Sequence, residues 1–342
     1  MTVADDFHEL AEALFADGCP PATVRALMAT PTGHDRATWR RWARETGLPG
    51  LAVPTDHGGS GLPPAVLGPV FEAAGAALVC APLLSTVGMA VPLLLALDDA
   101  EAANRWLPRI CTGELTATVA LPAAVTVSAD GLLTGDLGPV VDGATADLVL
   151  VLVDGAVFAV DHVAALHRTP LMSLDLTRRQ AAVTASGVPA TRLTGTPGDF
   201  LDVARTLLAA ELVGVAQRSL DMTVGYARNR VQFGRPIGSF QAVKQRAAEM
   251  LTRVELARSA AAHAAECLGT PEQALSAALA KAYCAEAARE VTADAIQLHG
   301  GIGFTWEHDA HLYFKRAIAA DELLGPAATQ WARVADHLDR TC

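Results

Sequence analysis

The 342-residue sequence lacks paired cysteines and the features of a secretion signal. Its six cysteines are scattered and none forms a C-x-x-C pair, so neither a zinc site nor a disulfide framework is indicated. We therefore expect reduced thiols and a cytoplasmic protein. The N-terminal residues MTVADDFHEL have neither the basic nor the apolar region of a signal peptide.

Charge is also scarce in this chain. Charged residues make up 18% and hydrophobic residues 51%, and the net charge is −11. Nucleic-acid phosphates would repel such a chain, and no Lys/Arg-rich stripe offsets the total, so we exclude nucleic-acid binding. The apolar content predicts that some surface is buried against other subunits. The uncharged residues 73–97 contain Pro82 and Pro92, which favour buried soluble helices over a membrane span.

The length predicts two or three domains, and the pattern along the chain predicts three. We expect an α+β multidomain fold with an N-terminal helical domain (1–112), a small middle β domain (113–197) and a C-terminal four-helix bundle (198–342). Gly/Pro punctuation divides the first region into helices. These are predicted over 4–17, 21–30, 35–46, 63–80, 85–97 and 100–110.

The middle region has short β-type runs with Asp-Gly pairs between or beside them, which is a hairpin signal. The runs are 116–121, 125–128, 148–153, 157–160 and 181–185, and the pairs are 130–131, 142–143 and 154–155. After Asp199 the helical period returns, and a capping box at Thr270-Pro271-Glu272-Gln273 predicts the start of a third bundle helix.

One segment of the last region combines a cation, amides and aromatic rings. Residues 226–241 read YARNRVQFGRPIGSFQ. Arg230 can offer a planar fork to a phosphate, Gln232 and Gln241 add hydrogen-bonding amides, and Phe233 adds a flat apolar face. This combination suits a nucleotide, but an ordinary helix–turn–helix with a solvated arginine accounts for it as well.

A second segment, QLHGGIGF (297–304), follows a long predicted helix. Gly300 and Gly301 permit a positive φ and let a ligand or another backbone approach closely. A glycine cluster also ends many helices as a simple cap, so this segment alone is a weak signal.

Together, and in this order after a β domain, YxxxRxQFGxPIxxFQ and QxxGGxGF resemble the acyl-CoA dehydrogenase family. Residues 47–62 (GLPGLAVPTDHGGSGL), 107–121 and 173–179 are also similar to segments of that family. The resemblance covers most of the chain, and it is nearest to the short subunits of heteromeric actinobacterial members.

The resemblance implies FAD as cofactor and an acyl-CoA thioester as substrate. In the family a glutamate removes the α-proton while a hydride leaves Cβ for the flavin. The family's FAD lies across a subunit boundary, where the two segments hold its pyrophosphate and adenosine end. By position, Arg230 and Gln232 would contact the pyrophosphate. The adenosine pocket would be lined by Phe233, Gln241, Gln297, Gly300 and Gly301.

The sequence departs from the family at its catalytic base. The family's most common position for the base is occupied by Leu324, and the alternative position, one residue before Arg205, is occupied by Ala204. Neither side chain can accept a proton. Glu322 and Glu211 are the weak candidates for a displaced base, and we interpret both as surface or structural acids.

The β domain departs as well. Residues 121–124 and 140–142 stand where the family has the segments that approach the flavin ring and the thioester. His308-x-x-His311 has a spacing that could clamp a metal, but it lacks a third ligand, so we predict no metal site. The glycines of residues 58–61 lack the Lys-Ser/Thr of a phosphate loop and predict a plain turn.

Three functions fit these observations. The first is a subunit of an α2β2 acyl-CoA dehydrogenase acting on bulky or steroid-like thioesters, in which a second dehydrogenase-like subunit supplies the base. The second is a self-sufficient homotetramer with a displaced base. The third is a non-catalytic assembly protein of the same fold that binds no flavin.

Overall fold

A computed structural model describes residues 3–122 and 124–341 of the chain. Ala123, within the segment compared with the family's flavin loop, lies outside the described residues. The predicted architecture of an N-terminal helical region, a small β region and a C-terminal helical bundle is confirmed. The α-helices are α1 (Val3–Gly18), α2 (Pro21–Met28), α3 (Arg36–Thr46), α4 (Leu67–Ala76), α5 (Val91–Ala96), α6 (Ala100–Cys111), α7 (Phe200–Asn229), α8 (Gln241–Glu266), α9 (Gln273–His299), α10 (Ala310–Glu322) and α11 (Ala327–Thr341).

The strands fall in two stretches of the chain, most of them in the middle region. They are β1 (Ala117–Ala120), β2 (Ala124–Val127), β3 (Leu132–Val141), β4 (Leu148–Val153), β5 (Ala156–Val160), β6 (His167–Pro170), β7 (Gln180–Pro189), β8 (Thr191–Arg192), β9 (Val231–Gln232) and β10 (Arg235–Pro236). The domain boundaries at 112/113 and 197/198 stay a prediction.

One compact unit contains α1, α4 and the chain from Arg205 onward. Here α4 and α7 approach closely through glycines, because a Cβ at Gly75 would lie 1.9 Å from the Glu211 carbonyl oxygen. A Cβ at Gly214 would lie 1.8 Å from the Glu72 carbonyl oxygen. Alanines are frequent among the buried residues of α8 and α9, which allows these two long helices to pack with little space between them.

The other unit contains residues 23–66 and 80–204 and carries two four-stranded sheets. The first has the order β1-β4-β5-β8, with β1 parallel to β4. The second, β2-β3-β7-β6, is antiparallel throughout. Their buried side chains form one aliphatic core, which includes Leu133, Leu137, Val140, Val149, Val151, Val160, Ala181 and Val183.

Several local predictions were wrong. The Asp-Gly pair at 142–143 joins β3 to β4, which belong to different sheets, and therefore does not close a hairpin. Strand β3 was not predicted because Gly135, Gly138 and Pro139 interrupt its apolar alternation. The capping box is not formed, because α9 begins at Gln273 and the Thr270 hydroxyl instead accepts the N–H of Glu272.

The uncharged stretch 73–97 is divided among several elements. Its predicted helix at 85–97 opens as a buried π-helix (Leu83–Ala90) that continues into α5. Inside it the Ser85 hydroxyl donates to the Asp142 carboxylate at 2.6 Å, so its polar group is satisfied away from water. Within residues 3–122 and 124–341, no helix combines the length and the apolar character that a membrane crossing requires.

Candidate cofactor-binding site

Residues 230–241 form an arm that projects from the end of α7. Strands β9 and β10 pair antiparallel through a two-residue turn, Phe233-Gly234, whose φ angles are +53° and +76°. Two consecutive positive φ angles are typical of a tight hairpin turn and place the Phe233 ring outward. The N–H of Ile237 donates to the Arg230 carbonyl at 2.8 Å and closes the base of the arm.

The arm presents its polar side chains to the outside. Arg230, Gln232 and Gln241 are all exposed. Within the described part of the chain, neither Arg230 nor Gln241 makes a side-chain hydrogen bond or ion pair. Gln232 donates only to the carbonyl of its neighbour Val231, at 3.0 Å. The fork of Arg230 is therefore available to an external phosphate.

Aromatic rings of the arm contact each other and an arginine side chain. The Phe233 ring is 91% exposed and meets the Phe240 ring edge-on at 6.1 Å between centroids. The Arg235 guanidinium lies 4.1 Å from the centroid of the Phe240 ring. The sequence has no acidic residue from 222 to 248, in a chain whose net charge is −11. The arm is thus a locally cationic and aromatic surface on an acidic protein.

The glycine turn, residues 297–304, comprises the last three residues of α9 and the turn that follows them. Gly300 has a φ of +63°, and a Cβ added at Gly300 or Gly301 would meet nothing within 4 Å. By contrast, a Cβ at Gly303 would lie 2.9 Å from the Ile296 carbonyl oxygen, so that glycine serves packing. Gln297 is exposed, and its side chain makes no hydrogen bond to any described residue. Open backbone at Gly300 and Gly301 leaves room for a ligand to approach closely.

These groups fit the pyrophosphate–adenosine end of FAD. An unpaired guanidinium suits the phosphates, exposed amides suit the edges of the base and ribose, and an exposed ring suits the face of the base. The arm itself contains no acidic residue that would repel a phosphate. Their assignment to FAD stays a prediction, which the proposals below develop.

At the position predicted for the catalytic base, the chain makes a braced turn between α10 and α11. Leu324 has a φ of +60° and Gly325 one of +95°. The Leu324 carbonyl accepts from Arg205 Nε at 3.0 Å and from Gln330 Nε2 at 3.1 Å. The backbone is thus held by two side chains, although a leucine in the left-handed region is strained. Its aliphatic side chain cannot accept a proton.

Lys281 supports the same turn from inside the bundle. Its side chain is completely buried, and Nζ donates to the carbonyls of Asp321 at 3.0 Å and Gly325 at 3.4 Å. Burial lowers the pKa of this amine to about 8, and the nearby Asp321 carboxylate opposes that shift. A cation is expensive to bury, so its carbonyl and carboxylate partners are needed to hold it.

The two candidate acids lie in different environments. Glu211 is buried in the bundle, and its carboxylate accepts from Arg316 Nη1 at 2.8 Å. This pairing is that of a structural ion pair. Glu322 is exposed and is the last residue of α10. Because Leu323 and Leu324 lie beyond the helix, helical geometry does not set the angle between Glu322 and the base position.

The remaining sequence motifs have local roles. The His308 ring lies 4.3 Å from His299, and the His311 ring lies 4.8 Å from Trp306, so the two predicted clamp residues contact different rings. In residues 3–122 and 124–341, no three His, Cys, Asp or Glu side chains are arranged to hold a metal. In the Gly58–Gly61 turn, the N–H groups of residues 60 and 61 donate to carbonyls of the chain.

Two family models match the chain. Residues 4–114 match the acyl-CoA dehydrogenase N-terminal domain, and residues 197–338 match the acyl-CoA dehydrogenase C-terminal domain. The chain belongs to the acyl-CoA dehydrogenase family. Members of this family are FAD-dependent oxidoreductases that act on acyl-CoA thioesters.

Relatives in this family include assemblies of unequal chains. The chain is 38% identical over 327 residues to acyl-CoA dehydrogenase IpdE2 of Mycolicibacterium smegmatis, covering 96% of each protein. It is similar to the ChsE4-ChsE5 complex from Mycobacterium tuberculosis, with 29% identity, a TM-score of 0.92, and 99% and 98% of the two chains covered. A variant of the Tcur3481-Tcur3483 steroid ACAD has 29% identity and a TM-score of 0.90, with 99% of each chain covered.

Sequence reasoning missed three buried polar side chains, of which two brace the turn at Leu324 and the third pairs with Glu211. Lys281, Gln330 and Arg316 were not singled out, yet each is at most 2% exposed and makes a polar contact inside the bundle. A charged residue within the alanine-rich run LAKAYC was an available signal, because a lysine on an otherwise buried helix requires a partner.

Proposed function

We propose that this chain is the partner subunit of a heteromeric acyl-CoA dehydrogenase that holds the pyrophosphate–adenosine end of FAD and contributes no catalytic base. FAD, when bound, supplies the hydride acceptor for α,β-dehydrogenation of an acyl-CoA thioester. The observation that carries the proposal is Leu324, an aliphatic residue inside a turn that is otherwise fully supported.

The nucleotide half of the proposal rests on the arm and the glycine turn. Arg230 and Gln232 contact the pyrophosphate, and Phe233, Gln241 and Gln297 surround the adenosine, with Gly300 and Gly301 allowing close approach. These groups are exposed on this chain, and the side chains of Arg230 and Gln241 have no partner within its described residues. Groups with unused hydrogen-bonding capacity are free to serve a cofactor whose ring belongs to another chain.

A partner chain then supplies the carboxylate and most contacts to the flavin ring. The ChsE4-ChsE5 and Tcur3481-Tcur3483 relatives are pairs of different chains, and the second is described as a steroid ACAD. We infer an α2β2 assembly acting on a bulky, steroid-like acyl-CoA. The three domains extend over 1–112, 113–197 and 198–342, and the middle one lacks the family's usual flavin-ring segments.

Expression of the chain alone and together with a neighbouring dehydrogenase homologue tests this proposal. We expect the lone chain to be colourless and inactive, and the co-expressed complex to be yellow and to oxidise an acyl-CoA. Stoichiometric FAD and turnover by the lone chain would contradict the proposal and favour a homotetramer with a displaced base. A complex that stays colourless with every candidate partner would favour an assembly protein without flavin.

A Leu324→Glu variant separates a missing base from a missing half of the flavin site. The braced turn would present the new carboxylate at the family's base position, so this variant restores the base alone. We expect the lone variant to remain colourless and inactive because the ring contacts are absent from its own β region. A yellow and active variant would mean that the lost glutamate alone explains inactivity. Leu324→Met, which keeps an aliphatic side chain of similar volume, is the matched control.

A further inference from the structure

A cluster of three rings joins the end of α7, next to the arm, to the glycine turn. The His299 ring lies 4.6 Å from Tyr226, at the end of α7, and 4.3 Å from His308, just before α10. Both centroid distances are those of rings in contact. His299 is 3% exposed, although its neighbours Gln297 and Gly300 are exposed. The His299 ring is therefore buried inside the protein, whereas neighbouring residues of the glycine turn are exposed to solvent.

Two of the three rings are hydrogen-bonded to the backbone, and the third belongs to a residue of the last turn of α7. His299 Nδ1–H donates to the Ala295 carbonyl at 2.6 Å, one helical turn back in α9. His308 Nδ1 accepts the N–H of Ala310 at 3.1 Å, at the start of α10. Tyr226 adjoins the arm through its main chain, because its carbonyl accepts the N–H of Arg230, the first residue of the arm, at 2.8 Å. The ring contacts thus connect residues at the end of α7, at the end of α9 and just before α10.

The contact between the Tyr226 and His299 rings joins the end of α7, from which the arm projects, directly to the glycine turn. Across the described residues, no hydrogen bond or ion pair joins the arm (230–241) to the glycine turn (297–304). One nucleotide that contacts both segments requires a fixed distance between them, because misplaced donors weaken binding steeply. Tyr226 and His299 meet directly, and each is bonded to its own segment.

We propose that His299 is a positioning residue that holds the arm and the glycine turn in a fixed relative arrangement through its contact with Tyr226. Its use in binding FAD rests on the function proposed above, whereas its mechanical role does not. The neutral imidazole suits this place because its small flat ring can pack against two other rings and retains one N–H for a carbonyl of its own helix. Burial and the neighbouring His308 lower the pKa of His299, which keeps the ring uncharged at neutral pH.

Hydrogen–deuterium exchange on the full chain tests the mechanical role without any ligand. In His299→Ala, the Ile237 amide of the arm should exchange about tenfold faster, as expected for the loss of one aromatic contact. His299→Phe keeps a ring and should restore most of the protection. His311→Ala removes a similar ring that contacts Trp306, and should leave the arm unchanged. Equal exchange of the arm in wild type and His299→Ala would overturn the proposal.

A substitution of Tyr226, on the other side of the contact, distinguishes coupling between the segments from misfolding of the His299 variants. Tyr226→Ala lies next to the arm, yet it should speed exchange at the Gly300 amide of the glycine turn. His299→Ala should correspondingly speed exchange in the arm, so each variant loosens the segment opposite to it. Loosening confined to the mutated segment would contradict coupling between them.

ADP, which contains the adenosine and pyrophosphate groups, tests the use of this arrangement. In the co-expressed complex stripped of flavin, we expect the ADP dissociation constant to rise about tenfold in His299→Ala and to stay within about twofold of wild type in His299→Phe. Unchanged affinity in His299→Ala would overturn the positioning role in nucleotide binding. Absence of ADP binding by wild type would instead overturn the proposed nucleotide site, while the exchange measurements would still decide the mechanical role.

Discussion

The interior of the helical bundle and the arm that projects from it treat their polar groups in opposite ways. Inside the bundle, Glu211 is paired with Arg316, and Lys281 is held by two carbonyl groups. On the arm, Arg230 and Gln241 are exposed, and their side chains make no hydrogen bond or ion pair to any described residue. Both regions belong to the same compact unit, and the arm connects α7 to α8 of the bundle.

This difference indicates that the polar groups of the bundle contribute to stability, whereas those of the arm are available to recognise a ligand. Buried polar groups without partners cost free energy, so the bundle satisfies its own and gains a rigid frame. An exposed guanidinium costs nothing while it is hydrated, and it keeps its donors for a phosphate. Substitutions in the bundle should therefore affect folding, and substitutions in the arm should affect cofactor retention.

The largest effect is expected from Glu211→Ala, which leaves Arg316 buried without its carboxylate. We expect a loss of about 3–5 kcal/mol in the free energy of unfolding, measured by urea denaturation. Glu322→Ala removes an exposed acid of the same unit and should change stability by less than about 0.5 kcal/mol. Similar losses in both variants would contradict the structural reading of the Glu211–Arg316 pair.

An apolar replacement of the whole pair sharpens this test. Glu211→Leu combined with Arg316→Met should recover much of the lost stability, because no charge is left buried. If turnover of the co-expressed complex also survives in the double variant, then Glu211 is not the base. Loss of turnover with normal stability and bound flavin would instead support a catalytic role for Glu211.

Arg230→Ala should leave folding unchanged and weaken cofactor binding. Loss of a hydrogen-bonding partner for a charged phosphate is worth about 1.5–3 kcal/mol, or roughly tenfold to hundredfold in FAD affinity. The measurement is flavin retained by the co-expressed complex during dialysis. Arg228→Ala, an exposed arginine at the same helix end, is the control. Equal flavin retention in wild type and Arg230→Ala would place the pyrophosphate elsewhere.

The buried Lys281 should make the free energy of unfolding depend on pH in the alkaline range. Its pKa is lowered to about 8 in the folded chain from 10.5, so between these values the unfolded chain binds more protons. The free energy of unfolding should therefore rise with pH over this window, relative to a Lys281→Met variant that cannot titrate. Denaturation curves at pH 8 and pH 10 for both proteins provide the comparison. A parallel response in the two proteins would mean that the buried amine keeps its ordinary pKa.

The smallest effect is expected at acidic pH. The pKa of His299 is lowered below its ordinary value of 6.5, so the folded chain resists protonation of this ring. Its contribution to stability is complete above pH 6.5 and is lost as the pH falls below that value. His299→Phe should remove this part of the acid sensitivity, as seen in thermal unfolding at pH 7 and pH 5. An unchanged pH dependence would mean that other groups dominate this range.

Much of the fold was predictable from local signals, whereas the site residues stay a prediction. The ends of α7 and the position of β4 follow from apolar periodicity and turn residues. The family assignment follows from two motifs, each of which is a continuous segment of the sequence. Strand β3 was not predicted because its glycines interrupt the apolar alternation. The role of Lys281 was not predicted because its partners lie 40 and 44 residues away in the sequence. Contacts between distant residues depend on tertiary packing, which a linear pattern does not record.

The outward-facing ring of Phe233 has a consequence for how the protein is produced. A large apolar side chain at the tip of a hairpin, with nine tenths of its surface in water, is a surface on which isolated copies of the chain can adhere to one another or to chaperones. If the ring is covered only in the complete enzyme, synthesis of this subunit in excess over its partner would leave molecules prone to precipitation and proteolysis. Balanced synthesis of the two chains would then be a condition for the survival of either.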